Sequence, residues 1–95
     1  MKIQLVRLVS GEEVVGDVVE NDDHVLIKDG YSLVAPEPGK IAFIPFMAYC
    51  KKQKDGFRIS KQFVMFVGEP IDEMVSQVRE MNSGIIQPST KPVVM

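Results

Sequence analysis

His24 is the only imidazole in the chain, and it follows Asp22 and Asp23 in a turn-like acidic stretch. The hydroxyl and thiol groups that could act as nucleophiles are Ser10, Ser32, Ser60 and Cys50, and no second histidine is present to activate any of them. No G-x-S-x-G, P-loop or dinucleotide fingerprint occurs. Gly11 and Gly16 do not precede a helix start and so form no phosphate cradle. The expectation is a protein that is not an enzyme and carries no cofactor. Three adjacent side chains in one turn cannot surround an ion, so Asp22, Asp23 and His24 are read as a solvated turn and no metal site is expected. Cys50 lies in an apolar run and reads as a small buried hydrophobe. Lys51, Lys52 and Lys54 form a charged hairpin tip, with a small basic patch contacting phosphate as the alternative reading.

The elements that must position these residues fall into two regimes. Through residue 67, short runs rich in β-branched and aromatic residues alternate with Gly, Asn and Asp clusters, which predicts strands joined by turns. Lys2–Val9 and Glu12–Glu20 form a hairpin about Ser10-Gly11, and Asn21-Asp22-Asp23 forms the next turn. His24–Lys28 is a third run, ended by Asp29-Gly30. Tyr31–Ala35 leads into a Pro36–Lys40 loop, because prolines lack the donor that a central strand needs. Ile41–Lys51 is apolar on both faces, a sign of burial on two sides or of a subunit contact, and Pro45 places it at an edge or bulge. Asp55-Gly56 predicts a type I′-like turn. Phe57–Ser60 and Phe63–Val67 finish the sheet, with Lys61-Gln62 between them.

After Gly68 the period changes to 3.6. Ile71, Met74, Val75, Val78 and Met81 form one helical stripe, Pro70 suits the first helical position, and Asn82-Ser83-Gly84 is a stop. The helix is expected over residues 69–83 and an extended tail over 84–95.

The chain of 95 residues carries 11 basic and 13 acidic side chains, so its net charge is −2. That length fits one small domain, and the charge restricts any nucleic-acid contact to a local surface. One cysteine excludes an internal disulfide. A lone thiol, with no run long and apolar enough for a membrane span, is expected in the cytoplasm.

The order of elements, with a late helix, resembles the Sm/LSm-like family, small Sm-like proteins of marine phages in particular. Gly11, Gly16, Val18 and Asp22 have the spacing of the first Sm motif. Ile59, Ser60, Lys61, Gln62, Phe63, Val64 and Val67 fit the frame of the second, with Ser60-Lys61 where the family has Arg-Gly. Leu26 stands where the family has asparagine, and His24 is the residue offered for that role.

The resemblance implies a mainly β fold: a small open barrel of five strongly bent antiparallel strands (1–68) with a C-terminal α-helix. It also implies a cyclic homo-oligomer of about five to seven subunits, formed as the fourth strand of one copy pairs with the fifth of the next. Phe57, Ile59, Phe63, Val64, Met65, Phe66 and Val67 would form that interface. Single-stranded RNA would then rest at the pore on Asp22, Asp23 and His24 of one loop and Ser60, Lys61 and Gln62 of another, in the host cytoplasm if the chain is phage-encoded. The alternative use of such a ring is as a protein-interaction scaffold that binds no RNA. A third reading is an unrelated SH3-like barrel, a monomeric peptide binder with Tyr31, Phe43, Phe46 and Tyr49 lining its groove.

Overall fold

The computed structural model describes residues 2–83 and the backbone of 90–92. The strands are β1 (Ile3–Leu8), β2 (Glu13–Glu20), β3 (His24–Glu37), β4 (Lys40–Pro45), β5 (Phe57–Ser60), β6 (Val64–Gly68) and β7 (Thr90–Pro92), with one helix, α1 (Asp72–Asn82). The protein is mainly β with a late helix. Every pairing is antiparallel, and the sheet is an open path β6-β1-β2-β3-β4-β7, with β5 also on β3.

β3 organises the fold. Asp29-Gly30 does not end the third run as expected, because the chain stays paired on both sides of it in one strand of 14 residues. Val15 pairs with Tyr31 and Asp17 with Lys28, so Gly16 alone faces Asp29 and Gly30. Two residues opposite one make a β-bulge, which bends the strand and increases its twist. Asp29 takes the left-handed conformation (φ 50°) that the bulge demands. The bend divides β3 into two halves with different neighbours: Val25–Ile27 pair with β5, whereas Tyr31–Val34 pair with β4.

Three local expectations change for similar reasons. The Pro36–Lys40 segment is not a free loop, since β3 runs on to Glu37 and returns through Pro38-Gly39, with Gly39 at φ 81°. The Ile41–Lys51 run leaves the sheet at Pro45, which has no N–H to donate. The Asp55-Gly56 turn is not type I′, because Gly56 has positive φ and Asp55 does not; nor does it join paired strands, since β4 and β5 both pair with β3.

The bent sheet buries apolar residues on both faces. Val6, Val14, Val18, Val25 and Ile27 form one cluster, closed by Leu8, Phe46, Ile59, Val64 and Val67. On the other face Ile3, Val15, Ile41 and Phe43 meet Met74, Val78 and Met81 of α1. The predicted stripe therefore docks, as a helix of this length requires in water. The helix starts at Asp72, three residues after the expected bound at 69: Ile71 is extended (φ −64°, ψ 156°), so Pro70 precedes the cap and Ile71 is 41% exposed. Asp72 and Glu73 occupy the first turn, where the helix dipole favours carboxylates. The Tyr31 hydroxyl donates to Asn82 Oδ1 at 2.8 Å and ties the last turn of α1 to β3. Thr90–Pro92 pair with Lys40–Ala42, so this part of the expected tail is a strand; the rest of 84–95 lies outside the described residues. Among the described residues no helix is long and apolar enough to cross a membrane.

Candidate functional site

The two loops singled out in the sequence meet. His24 opens β3 and pairs with Ser60, the last residue of β5, while the Lys61 N–H donates to the Asp23 carbonyl at 2.9 Å. Lys61–Phe63 form one turn of 3₁₀-helix, which redirects the chain from β5 into β6. Asp22, Asp23, His24, Ser60, Lys61 and Gln62 thus occupy one rim of the sheet.

Their side chains are held unequally. His24 Nδ1 lies 2.6 Å from Asp23 Oδ1 and Nε2 lies 3.1 Å from Asn21 Nδ2. A carboxylate only accepts, so Nδ1 donates to Asp23, while the Asn21 side-chain amide meets Nε2 and both ring nitrogens have a partner. The ring is 14% exposed. This hydrogen bond from His24, aided by the nearby Arg58 at 3.7 Å, holds the Asp23 carboxyl below its ordinary value. Lys61 Nζ donates to Glu20 Oε2 at 2.8 Å. Asp22, Ser60 and Gln62 are exposed, without side-chain partners among the described residues. The rim is therefore a latch of paired charges with a fringe of open polar groups. Asn21 and Glu20, which complete it, were missed in the sequence; Asn21 lies three residues before His24, within reach of a local side-chain bond.

The residues expected at a subunit interface divide into two sets. Ile59, Val64 and Val67 turn inward onto the core, and Phe57 is half-buried, its ring edge-to-face with Phe46 at a centroid separation of 5.9 Å. Phe63, Met65 and Phe66 point outward, 50%, 63% and 63% exposed. Among the described residues β5 pairs only with β3 and β6 only with β1, which leaves one edge of each strand unpaired. Phe43 is fully buried and cannot line the open aromatic groove of a peptide binder.

Two further features were not foreseen. A cavity of about 670 Å³ lies between the β3–β4 hairpin and the start of α1, lined by apolar residues such as Leu5, Leu33, Ile71 and Met74, with Glu13 and Glu69 also on its wall. Cys50 is exposed, contrary to the buried role expected of it, because the chain leaves the sheet five residues earlier. Among the described residues no group of three or more His, Cys, Asp or Glu side chains is placed to hold a metal ion. Neither a model of a known protein family nor a curated protein sequence matches this chain.

Proposed function

We propose that the chain is an Sm-like subunit that closes with copies of itself into a ring of about five to seven members and contacts single-stranded RNA at the rim formed by Asp22–His24 and Ser60–Gln62. The observation that carries this reading is the arrangement about β3. β4 and β5 lie along successive halves of the same edge, like one bent fourth strand interrupted by residues 46–56, and the 3₁₀ turn leads into β6 as a fifth. The family pairs its fourth strand with the fifth of the next copy, and β5 and β6 have edges available for that. An unpaired edge bearing Phe63, Met65 and Phe66 is an aggregation hazard unless covered, and head-to-tail closure covers both edges at once.

The second reading is a ring that serves as a protein scaffold and binds no RNA. It is favoured by one observation: Lys61, the cation offered to the pore, is already paired with Glu20, and Asp22 and Asp23 add carboxylates beside it.

Size-exclusion chromatography with light scattering separates these readings when followed by fluorescence anisotropy with U-rich and A-rich RNA at two salt concentrations. A ring reads as five to seven multiples of the 10.6 kDa subunit. A monomer sinks the ring. RNA binding that weakens with salt and on Lys61→Ala supports the rim as the RNA site, whereas a ring that ignores RNA is the scaffold.

A further inference from the structure

The excursion Phe46–Gly56 between β4 and β5 belongs to neither the rim nor the outward edge of β6, and it is built rather than slack. Its ends are clamped. The Phe46 N–H donates to the Gly30 carbonyl at 2.9 Å, and the Phe46 ring meets Phe57 edge-to-face across the base. Gly56 sits at φ 95° so close to β3 that a Cβ there would lie 2.7 Å from the Ile27 carbonyl oxygen. Lys52 Nζ reaches Asp29 Oδ1 at 3.0 Å and ties the middle of the excursion to the bend of β3. Within it, Cys50 N–H bonds Met47 O and Gly56 N–H bonds Gln53 O, making two tight turns. Met47 is one of two described non-glycine residues in the left-handed region, at φ 55°. Such strain persists only where its surroundings enforce it.

This fixed excursion holds outward what a folded domain ordinarily covers. Tyr49 is 105% exposed, as open as a side chain in an extended peptide, and Met47 is 48% exposed. Lys51 and Lys54 are exposed and form no ion pair among the described residues. With three lysines and one aspartate, Asp55, the excursion is locally basic in a chain whose net charge is −2. A free aromatic face beside unpaired cations is the chemistry that engages an unstacked base and its neighbouring phosphates. An acidic peptide would use the cations and leave the ring idle.

We propose that the Met47–Gly56 excursion is a contact surface for single-stranded nucleic acid, with Tyr49 stacking on a base and Lys51 and Lys54 meeting flanking phosphates. It is separate from the rim and requires no ring. RNA and single-stranded DNA share this chemistry, so both enter the test.

The protein has two tyrosines and no tryptophan, so in a Tyr31→Phe background Tyr49 is the sole tyrosine and the source of the tyrosine fluorescence. Short oligo-U, oligo-A and oligo-dT are titrated into that variant, and labelled copies of the same oligomers are followed by anisotropy at two salt concentrations. Binding should quench Tyr49. Tyr49→Ala should weaken binding at least about fivefold, the low end of the loss seen when a stacking aromatic is removed. Lys51→Ala with Lys54→Ala should lower the slope of log affinity against log salt by about 1.4, or 0.7 for each phosphate contact on a single strand. Arg79→Ala, which removes an exposed cation of α1 remote from the excursion in sequence and outside the rim, should leave both readouts unchanged. All four positions are outside the buried core, and circular dichroism and melting unchanged from the Tyr31→Phe protein confirm the fold of each variant. The proposal is overturned if the parent binds none of the oligomers, if Tyr49→Ala binds as the parent does, or if polyglutamate competes as well as RNA. A monomer that loses binding on Tyr49→Ala would end the ring reading and leave this one standing.

Discussion

Replacing Gly16 with alanine tests whether the bulge facing Asp29-Gly30 holds the fold at its bend. A Cβ on Gly16 would lie 2.7 Å from Gly30 Cα, 3.1 Å from the Lys28 carbonyl oxygen and 3.2 Å from that of Asp29. All three are backbone atoms, so no rotamer change relieves the contact. Ordinary carbon contacts begin near 3.5 Å, and β2 must therefore move from β3 by roughly 1 Å. Overpacking of this kind costs about 1–3 kcal/mol. Alanine also restricts the unfolded chain, which offsets about 0.4–1 kcal/mol, so the net loss centres on about 1.3 kcal/mol and reaches at most about 2.6 kcal/mol. In a domain of this size each kcal/mol lowers the melting temperature by about 4–8 °C. Urea and thermal unfolding of Gly16→Ala should show that loss at several protein concentrations, since association would otherwise shift the midpoint. Lys28→Ala is the control. Lys28 is exposed on β3 next to the bulge, and its side chain forms no ion pair among the described residues, so its midpoint should barely move. A Gly16→Ala protein that melts with the parent would refute the close-approach argument and with it this account of the β3 bend.

Three other perturbations have expected outcomes. Tyr31→Phe removes the hydroxyl that donates to Asn82 and should cost about 1 kcal/mol in urea unfolding; an unchanged midpoint would mean that the bond does not hold α1. Phe43→Ala empties a fully buried site between sheet and helix, where the ring meets Tyr31 edge-to-face, and should cost about 3–5 kcal/mol. A loss below 1 kcal/mol would show that α1 does not depend on that contact. The Asp23 carboxyl is held below its ordinary value of 3.8, first by the hydrogen bond from His24. A depressed folded value means that its stabilisation is present above the ordinary value and is lost as pH falls through the lowered one. Carboxyl chemical shifts should therefore place its midpoint under 3.8 in the parent and closer to 3.8 in His24→Ala, and an unmoved midpoint would remove the latch.

Features decided by near neighbours were legible in the sequence. The β1–β2 hairpin, the Asn21–Asp23 turn, the step from Ser60 through Lys61-Gln62 into β6 and the α1 stripe all depend on residues a few positions apart. The unforeseen features depend on partners far along the chain. Asp29-Gly30 has the composition of a turn, yet Gly16, thirteen residues earlier, turns it into one side of a bulge. Nothing local in Lys40–Pro45 or Phe57–Ser60 says that both will lie along one edge of β3, or that Thr90–Pro92 will cover Lys40–Ala42. At the rim, the six candidate residues were read and their meeting follows from β3–β5 pairing, but the Lys61–Glu20 pair spans 41 residues and is visible only in three dimensions.

β3 also explains how a small acidic chain can present two chemically different surfaces. Its first residue, His24, is latched into the rim; its bend, through Asp29 and Gly30, receives Lys52 and Phe46 of the basic excursion; and the next residue, Tyr31, anchors α1. Lys61 at the rim is paired with Glu20, whereas Lys51 and Lys54 on the excursion form no ion pair among the described residues. Because unpaired charges keep their attraction for phosphate and paired ones largely lose it, the excursion can contact a phosphate chain without the rim doing so. A loosened bend would move both surfaces together, while substitution at Tyr49 or Lys61 touches one alone. That asymmetry makes the Gly16 variant a control for every surface substitution: a change in binding that appears in Gly16→Ala but in neither single-surface variant belongs to the fold and not to either surface.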